Sequence, residues 1–193
     1  MTRPFSQAAE NNKAPIADVL SGYLHGGDLL EIGAGTGQHA IWMAPLFPDV
    51  RWHPTEQPDN LPALNLWLED APSANLEPAR ILRVQGRWPD RRYDYIYTAN
   101  TFHIMAAPLV QRCVQRIAEH LHPGALAFIY GPFNLNGTYT SDSNRRFDLF
   151  LKRQDLAMGL RDRDWVVTLF AAQGLALLDD HPMPANNRLL VFG

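Results

Sequence analysis

Two acids and a run of glycines carry the first chemical signal in the chain. Glu31, Gly33, Gly35 and Gly37 stand at alternate positions in LLEIGAGTGQHA (29–40), and Glu56 closes WHPTE. Glycines after an apolar run let a backbone turn tightly and approach a ligand, although alone they serve helix–strand packing equally well. A phosphate would suit the glycines and not the carboxylate, because Glu31 repels a pyrophosphate and attracts an ammonium or a sulfonium. The dinucleotide fingerprint requires glycine where this chain has Gln38, and the lysine of a phosphate loop is missing as well. Both Gln38 and Glu31 disfavour a nicotinamide oxidoreductase. Glu56 ends the second expected strand, where doubly wound folds place an acid against ribose hydroxyls; the alternative is a solvated strand-end residue. A cationic amino-acid group joined to an unphosphorylated nucleoside satisfies both acids. S-adenosyl-L-methionine is such a ligand. Its expected contacts are Glu31, Gly33, Ala34, Gly35, Thr36 and Gly37 on the loop, with Glu56 and Gln57 after the second strand.

A second group of candidates belongs to the acceptor side. In ANTFHIM, Asn100 and Thr101 are expected at the cofactor and His103 beside the substrate. His103 has the chemistry of a general base near neutral pH; the alternative is a structural histidine bonded to backbone. Tyr130 in YGPF and Asn187 at the start of the last strand complete the catalytic candidates, with Asn100 in a substrate-orienting role. Asparagine offers donors and acceptors without charge, and Asn134 and Asn136 beside Gly137 are read as turn residues instead. In ENNK, Asn12 or Lys13 is expected to reach the cofactor carboxylate, Lys13 being equally a solvated helix-start residue. His39 follows the loop and is expected to pack or to orient it.

These residues need a scaffold that alternates strands and helices. Apolar spacing predicts helices over 14–24, 38–47, 61–68, 108–121 and 164–173, and strands over 29–32, 50–55, 79–84, 93–99 and 125–133. Two closing strands, 175–180 and 187–193, are too close in sequence for a crossover and must be antiparallel. The expected class is α/β: a Rossmann-like, doubly wound, mostly parallel sheet with a C-terminal antiparallel strand. Ligands of such sheets lie beyond the carboxyl ends of the strands, so ANTFHIM, YGPF and Asn186–Asn187 are expected to converge on one rim.

Composition narrows the partners. The 193 residues suit one domain, 1–193, with 1–27 as an N-terminal helix and cover segment. A net charge of −3 gives no reason to expect duplex nucleic acid, and the lone Cys113 excludes an internal disulfide and a cysteine-rich metal cluster. No window approaches the ~20 apolar residues of a membrane span and no signal-type segment opens the chain, so a cytoplasmic location is expected.

Long stretches resemble a known family. AAENNKAPI, LEIGAGTGQHA, WHPTE, YIYTANTFHIM, YGPFNLNGTYTSDSNRRFD and MPANNRLLVF are similar to the class I S-adenosylmethionine-dependent methyltransferases, and more narrowly to the methyltransferase-like protein 26 family. The resemblance implies that fold and that cofactor. It also implies an adenine contact after the third strand, where such enzymes often carry Asp and this chain has Gln85–Gly86. The glutamine carbonyl can accept the same bond uncharged, with Trp88 as a packing surface. The expected reaction is methyl transfer to an oxygen or nitrogen of a small polar molecule. Two alternatives are a non-catalytic S-adenosylmethionine-binding module and an amino-group methylase of nucleobases, since Asn100–His103 stands where those enzymes carry Asn-Pro-Pro-Tyr.

Overall fold

A computed structural model describes residues 3–69 and 73–193. Residues 1 and 2 of the expected cover segment lie outside the described residues. The chain forms two compact units, 1–98 and 99–193.

The first unit carries α1 (Gln7–Leu20), β1 (Gly27–Ile32), α2 (Gln38–Met43), β2 (Val50–Glu56), α3 (Leu61–Leu68), β3 (Arg80–Ile81) and β4 (Tyr93–Ala99). Its strands run in the order β3-β2-β1-β4, every pairing parallel, with Leu29 opposite both Trp52 and Tyr95. Leu29, Leu30, Trp52, Ile96 and Tyr97 are fully buried. Near-continuous apolar runs are what a parallel sheet covered on both faces requires.

The second unit carries α4 (Ala107–His120), β5 (Leu121–Asn134), α5 (Asp142–Gln154), β6 (Arg161–Asp162), α6 (Arg163–Ala171), β7 (Leu177–Met183) and β8 (Asn187–Phe192). β8 lies antiparallel between β5 and β7, and β6 pairs with the end of β5. The Phe170 and Phe192 rings stack 3.8 Å apart beneath this sheet. Parallel strands alternating with helices, followed by an antiparallel C-terminal pair, make this the expected α/β fold.

Several boundaries depart from the sequence reading. α1 begins at Gln7, capped by Ser6, whose hydroxyl accepts from the Ala9 N–H at 3.2 Å. α2 stops at Met43 and tightens into a 3₁₀ turn over Ala44–Leu46, because Pro45 has no N–H to continue the ladder. β3 keeps only Arg80–Ile81 of the expected 79–84; the chain then turns, with the Gly86 N–H on the Arg83 carbonyl at 2.9 Å. α5 has no counterpart among the helices that apolar spacing predicts. Among the described residues no helix is long and apolar enough to cross a membrane.

Candidate functional site

The glycine loop of the first unit follows β1 directly and meets the end of β2. Gly33, Gly35 and Gly37 all have positive φ (70°, 59° and 87°), a backbone that only glycine adopts freely. Three of the loop amides are already engaged. Ala34 N–H donates to the Thr55 carbonyl at 2.9 Å and Gly37 N–H to the Ala34 carbonyl at 2.9 Å. Gly35 N–H donates to Glu56 Oε2 at 2.7 Å. Gly35 and Gly37 differ in purpose. A Cβ on Gly37 would lie 2.6 Å from Leu64 Cδ1, so that position serves packing against α3. A Cβ on Gly35 would meet nothing within 4 Å, which leaves open space over the tip of the loop.

Both expected acids sit here. Glu56 is buried at the end of β2, its second oxygen accepting from the Gln57 N–H at 2.7 Å. Glu31 is 2% exposed and accepts from the Trp52 indole N–H at 2.7 Å. Burial pushes its carboxyl up to about 7, a rise that the indole N–H opposes and the charge of Glu56 reinforces. Among the described residues neither acid forms an ion pair with a lysine, arginine or histidine.

The N-terminal helix is moored to the start of α2. The Ser6 N–H donates to Gln38 Oε1 at 2.6 Å, and Gln38 Nε2 donates to Glu10 Oε2 at 3.1 Å. Lys13 is paired with Glu10 at 2.5 Å, and Asn12 is buried against His39. Of the adenine-side candidates, Gln85 is exposed in the turn after β3 and Trp88 is buried.

In the second unit, Asn100 takes a left-handed conformation (φ 58°), and its N–H donates to the Tyr130 carbonyl at 2.9 Å. A non-glycine residue held there marks a backbone constrained by its surroundings. Asn100 Oδ1 and His103 Nδ1 converge on Gly131: a Cβ built there would lie 4.0 Å and 3.9 Å from them. Thr101 and Tyr130 are buried in the same unit. His103 meets Phe147 edge-on, with ring centroids 5.2 Å apart, and its backbone carbonyl accepts from the Gly159 N–H at 2.9 Å. Burial lowers its imidazole to about 4, with the Arg161 charge adding to the effect. Asn187 pairs in register with Pro132, and its amide donates to the Pro184 carbonyl at 3.2 Å, a turn contact. Asn136 has φ 50° in the tight Leu135–Thr138 hairpin, as expected of a turn residue.

Sequence reasoning missed Arg161. Its guanidinium donates to the carbonyls of Phe102 (3.2 Å), Ala157 (2.8 Å) and Met105, which pins the His103 loop. It missed Asp148 too. That carboxylate accepts from the Tyr139 hydroxyl, Lys152 Nζ and the Leu160 N–H, each at 2.7 Å. The fixed spacing of Asn144 and Asp148 along SDSNRRFDLF was the available signal, since it places two polar residues on the buried face of one helix.

A family model described as a protein of unknown function, DUF938, matches residues 3–193. The chain belongs to the DUF938 family. Its fold is also found in larger solved structures. An O-methyltransferase family protein from Burkholderia thailandensis aligns with a TM-score of 0.84 at 15% identity, covering 96% of this chain and 57% of that one. Human N-acetylserotonin methyltransferase in complex with SAM aligns with a TM-score of 0.81 at 13% identity, covering 96% and 52%. An O-methyltransferase family 2 protein from Planctomyces limnophilus in complex with apigenin gives 0.79 at 18% identity, covering 96% and 59%. This DUF938 chain spans little more than half the length of those proteins, and at such identities the likeness is one of fold.

Proposed function

We propose that this DUF938 protein is an S-adenosylmethionine-dependent methyltransferase acting on an oxygen or nitrogen of a small polar molecule. One observation carries the reading: two buried acids, Glu31 and Glu56, adjoin a glycine loop whose Gly35 amide Glu56 already holds, and among the described residues no protein cation balances them. Such a site repels a phosphate by its charge and has acceptors for hydroxyls and cations. Glu56 would take the ribose hydroxyls, and Glu31 would favour the positively charged end of the ligand. The space above Gly35 leaves room for a nucleoside. The fold shared with enzymes crystallised with SAM supports the same reading, as does the resemblance to the methyltransferase-like protein 26 family.

When bound, the sulfonium supplies a methyl group already activated for in-line displacement, so alignment and water exclusion matter most for the protein. Asn100, His103, Tyr130 and Asn187 are the proposed acceptor-side residues. With its imidazole at about 4, His103 is neutral at physiological pH and accepts a proton only weakly. It serves better as a hydrogen-bonding group that orients the acceptor.

Calorimetry tests the cofactor assignment: S-adenosylmethionine or its demethylated product should bind and NAD should bind poorly, and tighter NAD binding would overturn it. Metabolites of a deletion strain compared with a complemented one then name the acceptor by a mass difference of one methyl group. Cofactor affinity without any such difference would favour a non-catalytic binding module.

A further inference from the structure

The N-terminal helix presents two candidates for the carboxylate end of the proposed cofactor, and the bonds around them tell the two apart. The Lys13 ammonium lies 2.5 Å from Glu10, which in turn accepts from Gln38 Nε2 at 3.1 Å. Its charge is neutralised within α1. Asn12, one residue earlier, is 7% exposed and is held differently.

His39 bridges Asn12 to β4. Its Nε2 lies 2.7 Å from Asn12 Oδ1, and its Nδ1 lies 3.1 Å from the Tyr97 hydroxyl. A carboxamide oxygen only accepts, so Nε2 carries the proton. Nδ1 is then an acceptor, and the Tyr97 hydroxyl donates to it. The polarity runs one way, from β4 through α2 to α1. Burial lowers the His39 imidazole to about 4, outweighing a hydrogen bond to the Ala9 backbone of α1, so protonation does not scramble this order near neutral pH. With its oxygen committed to His39, Asn12 keeps both N–H donors, and neither has a partner among the described residues. Asn12 Nδ2 is not among the fully buried unpaired side-chain atoms, so these donors open to the surface, where an acceptor from outside the chain can reach them. A neutral donor also suits a ligand that already carries an ammonium and a sulfonium, because it adds no repelling charge.

We propose that Asn12, and not Lys13, recognises the carboxylate of the S-adenosyl ligand, and that His39, held by Tyr97, is the positioning residue that aims the Asn12 amide. This inference rests on the proposed cofactor.

Calorimetry with two probes tests it. S-adenosylhomocysteine carries the carboxylate; methylthioadenosine keeps the nucleoside and thioether without the amino-acid end. Asn12→Ala and His39→Ala should each weaken S-adenosylhomocysteine about tenfold and leave methylthioadenosine within about twofold. Asn12→Asp keeps an acceptor for His39 but replaces the donor with a negative oxygen, so it should weaken S-adenosylhomocysteine more than Asn12→Ala does. His39→Gln, whose amide can donate to Asn12, should recover most of the loss. Lys13→Ala should change neither ligand. Equal losses for both probes, or a Lys13→Ala effect as large as that of Asn12→Ala, would overturn the proposal. Should His39→Ala fail to fold, the near-isosteric Asn12→Asp and Tyr97→Phe decide the matter by the same comparison. If neither probe binds the wild-type protein, the cofactor reading itself falls, a result distinct from every pattern above.

Discussion

Replacing Glu31 by Gln should make this protein more stable, and only above a definable pH. Burial raises the Glu31 carboxyl to about 7, against about 4.3 for an unperturbed glutamate. Between those values the folded state holds a proton that the unfolded chain has released, so stability falls as pH rises through the window and levels off above it. At about 1.4 kcal/mol per pKa unit, the whole window is worth on the order of 3 kcal/mol. For a chain of this size that corresponds to a melting shift of roughly 5–10 °C. His39 and His103 act in the opposite direction. Both are lowered to about 4 by burial, so their contribution is present above the unfolded histidine value and is lost as pH falls toward the folded one. The wild-type profile is therefore a dome. Glutamine keeps an acceptor for the Trp52 indole and cannot ionise, so Glu31→Gln retains the acid limb and removes the falling limb. Thermal melts of both proteins from about pH 4 to about pH 8 should coincide at the acid end and diverge toward neutrality. Parallel curves across that range would show that Glu31 is not the group responsible.

Glu56→Ala removes the acceptor of the Gly35 and Gln57 amides and should weaken S-adenosylhomocysteine by roughly 1.5–3 kcal/mol in calorimetry. Gly35→Val should abolish ligand binding, and because its Cβ meets no protein atom the fold should lose only the left-handed strain of about 1–2 kcal/mol. Gly37→Ala should instead lower the melting temperature more than Gly35→Ala does, because its Cβ would lie 2.6 Å from Leu64 Cδ1. Once an acceptor is known, His103→Ala should lower turnover by about 10²-fold, as expected for a lost orienting contact, with cofactor affinity unchanged. The wild-type rate should show no histidine limb near pH 6.5, because this imidazole titrates at about 4.

The first unit was legible because its signals are local and stereochemical. Positive-φ glycines, an acid closing each of two apolar strands and a proline-stopped helix leave few arrangements open, and 61–68 and 93–99 were placed at their observed boundaries. α5 was not legible, because Leu149 and Phe150 are exposed while Asn144 and Asp148 are buried, which inverts the pattern used to find helices. Its burial is repaid by hydrogen bonds to Thr140, Tyr139 and Leu160 that no spacing rule announces. The environment of His103 was hidden for a related reason. Its position after β4 could be read, but Phe147 and Arg161, which lower its basicity, arrive from elements that the pattern missed or shortened.

The two departures from the dinucleotide fingerprint have a common physical basis. In that fingerprint the glycine at the third position lets helix and strand approach closely, while free amides and the helix N-terminus hold the pyrophosphate. Here Gln38 occupies that position and makes three contacts: its oxygen accepts from the Ser6 amide and the Thr36 hydroxyl, and its nitrogen donates to Glu10. A glycine at 38 would leave α1 without these anchors. The loop amide that might have met a phosphate is held by Glu56 instead. A nucleotide with a pyrophosphate would have to displace that carboxylate and overcome its charge, whereas ribose hydroxyls can donate to it where it stands. Gln38 holds α1 and its Asn12 amide at the start of α2, and the Glu56 charge opposes phosphate at the loop; under the proposed function the pair suits a ligand with hydroxyls at one end and an amino acid at the other.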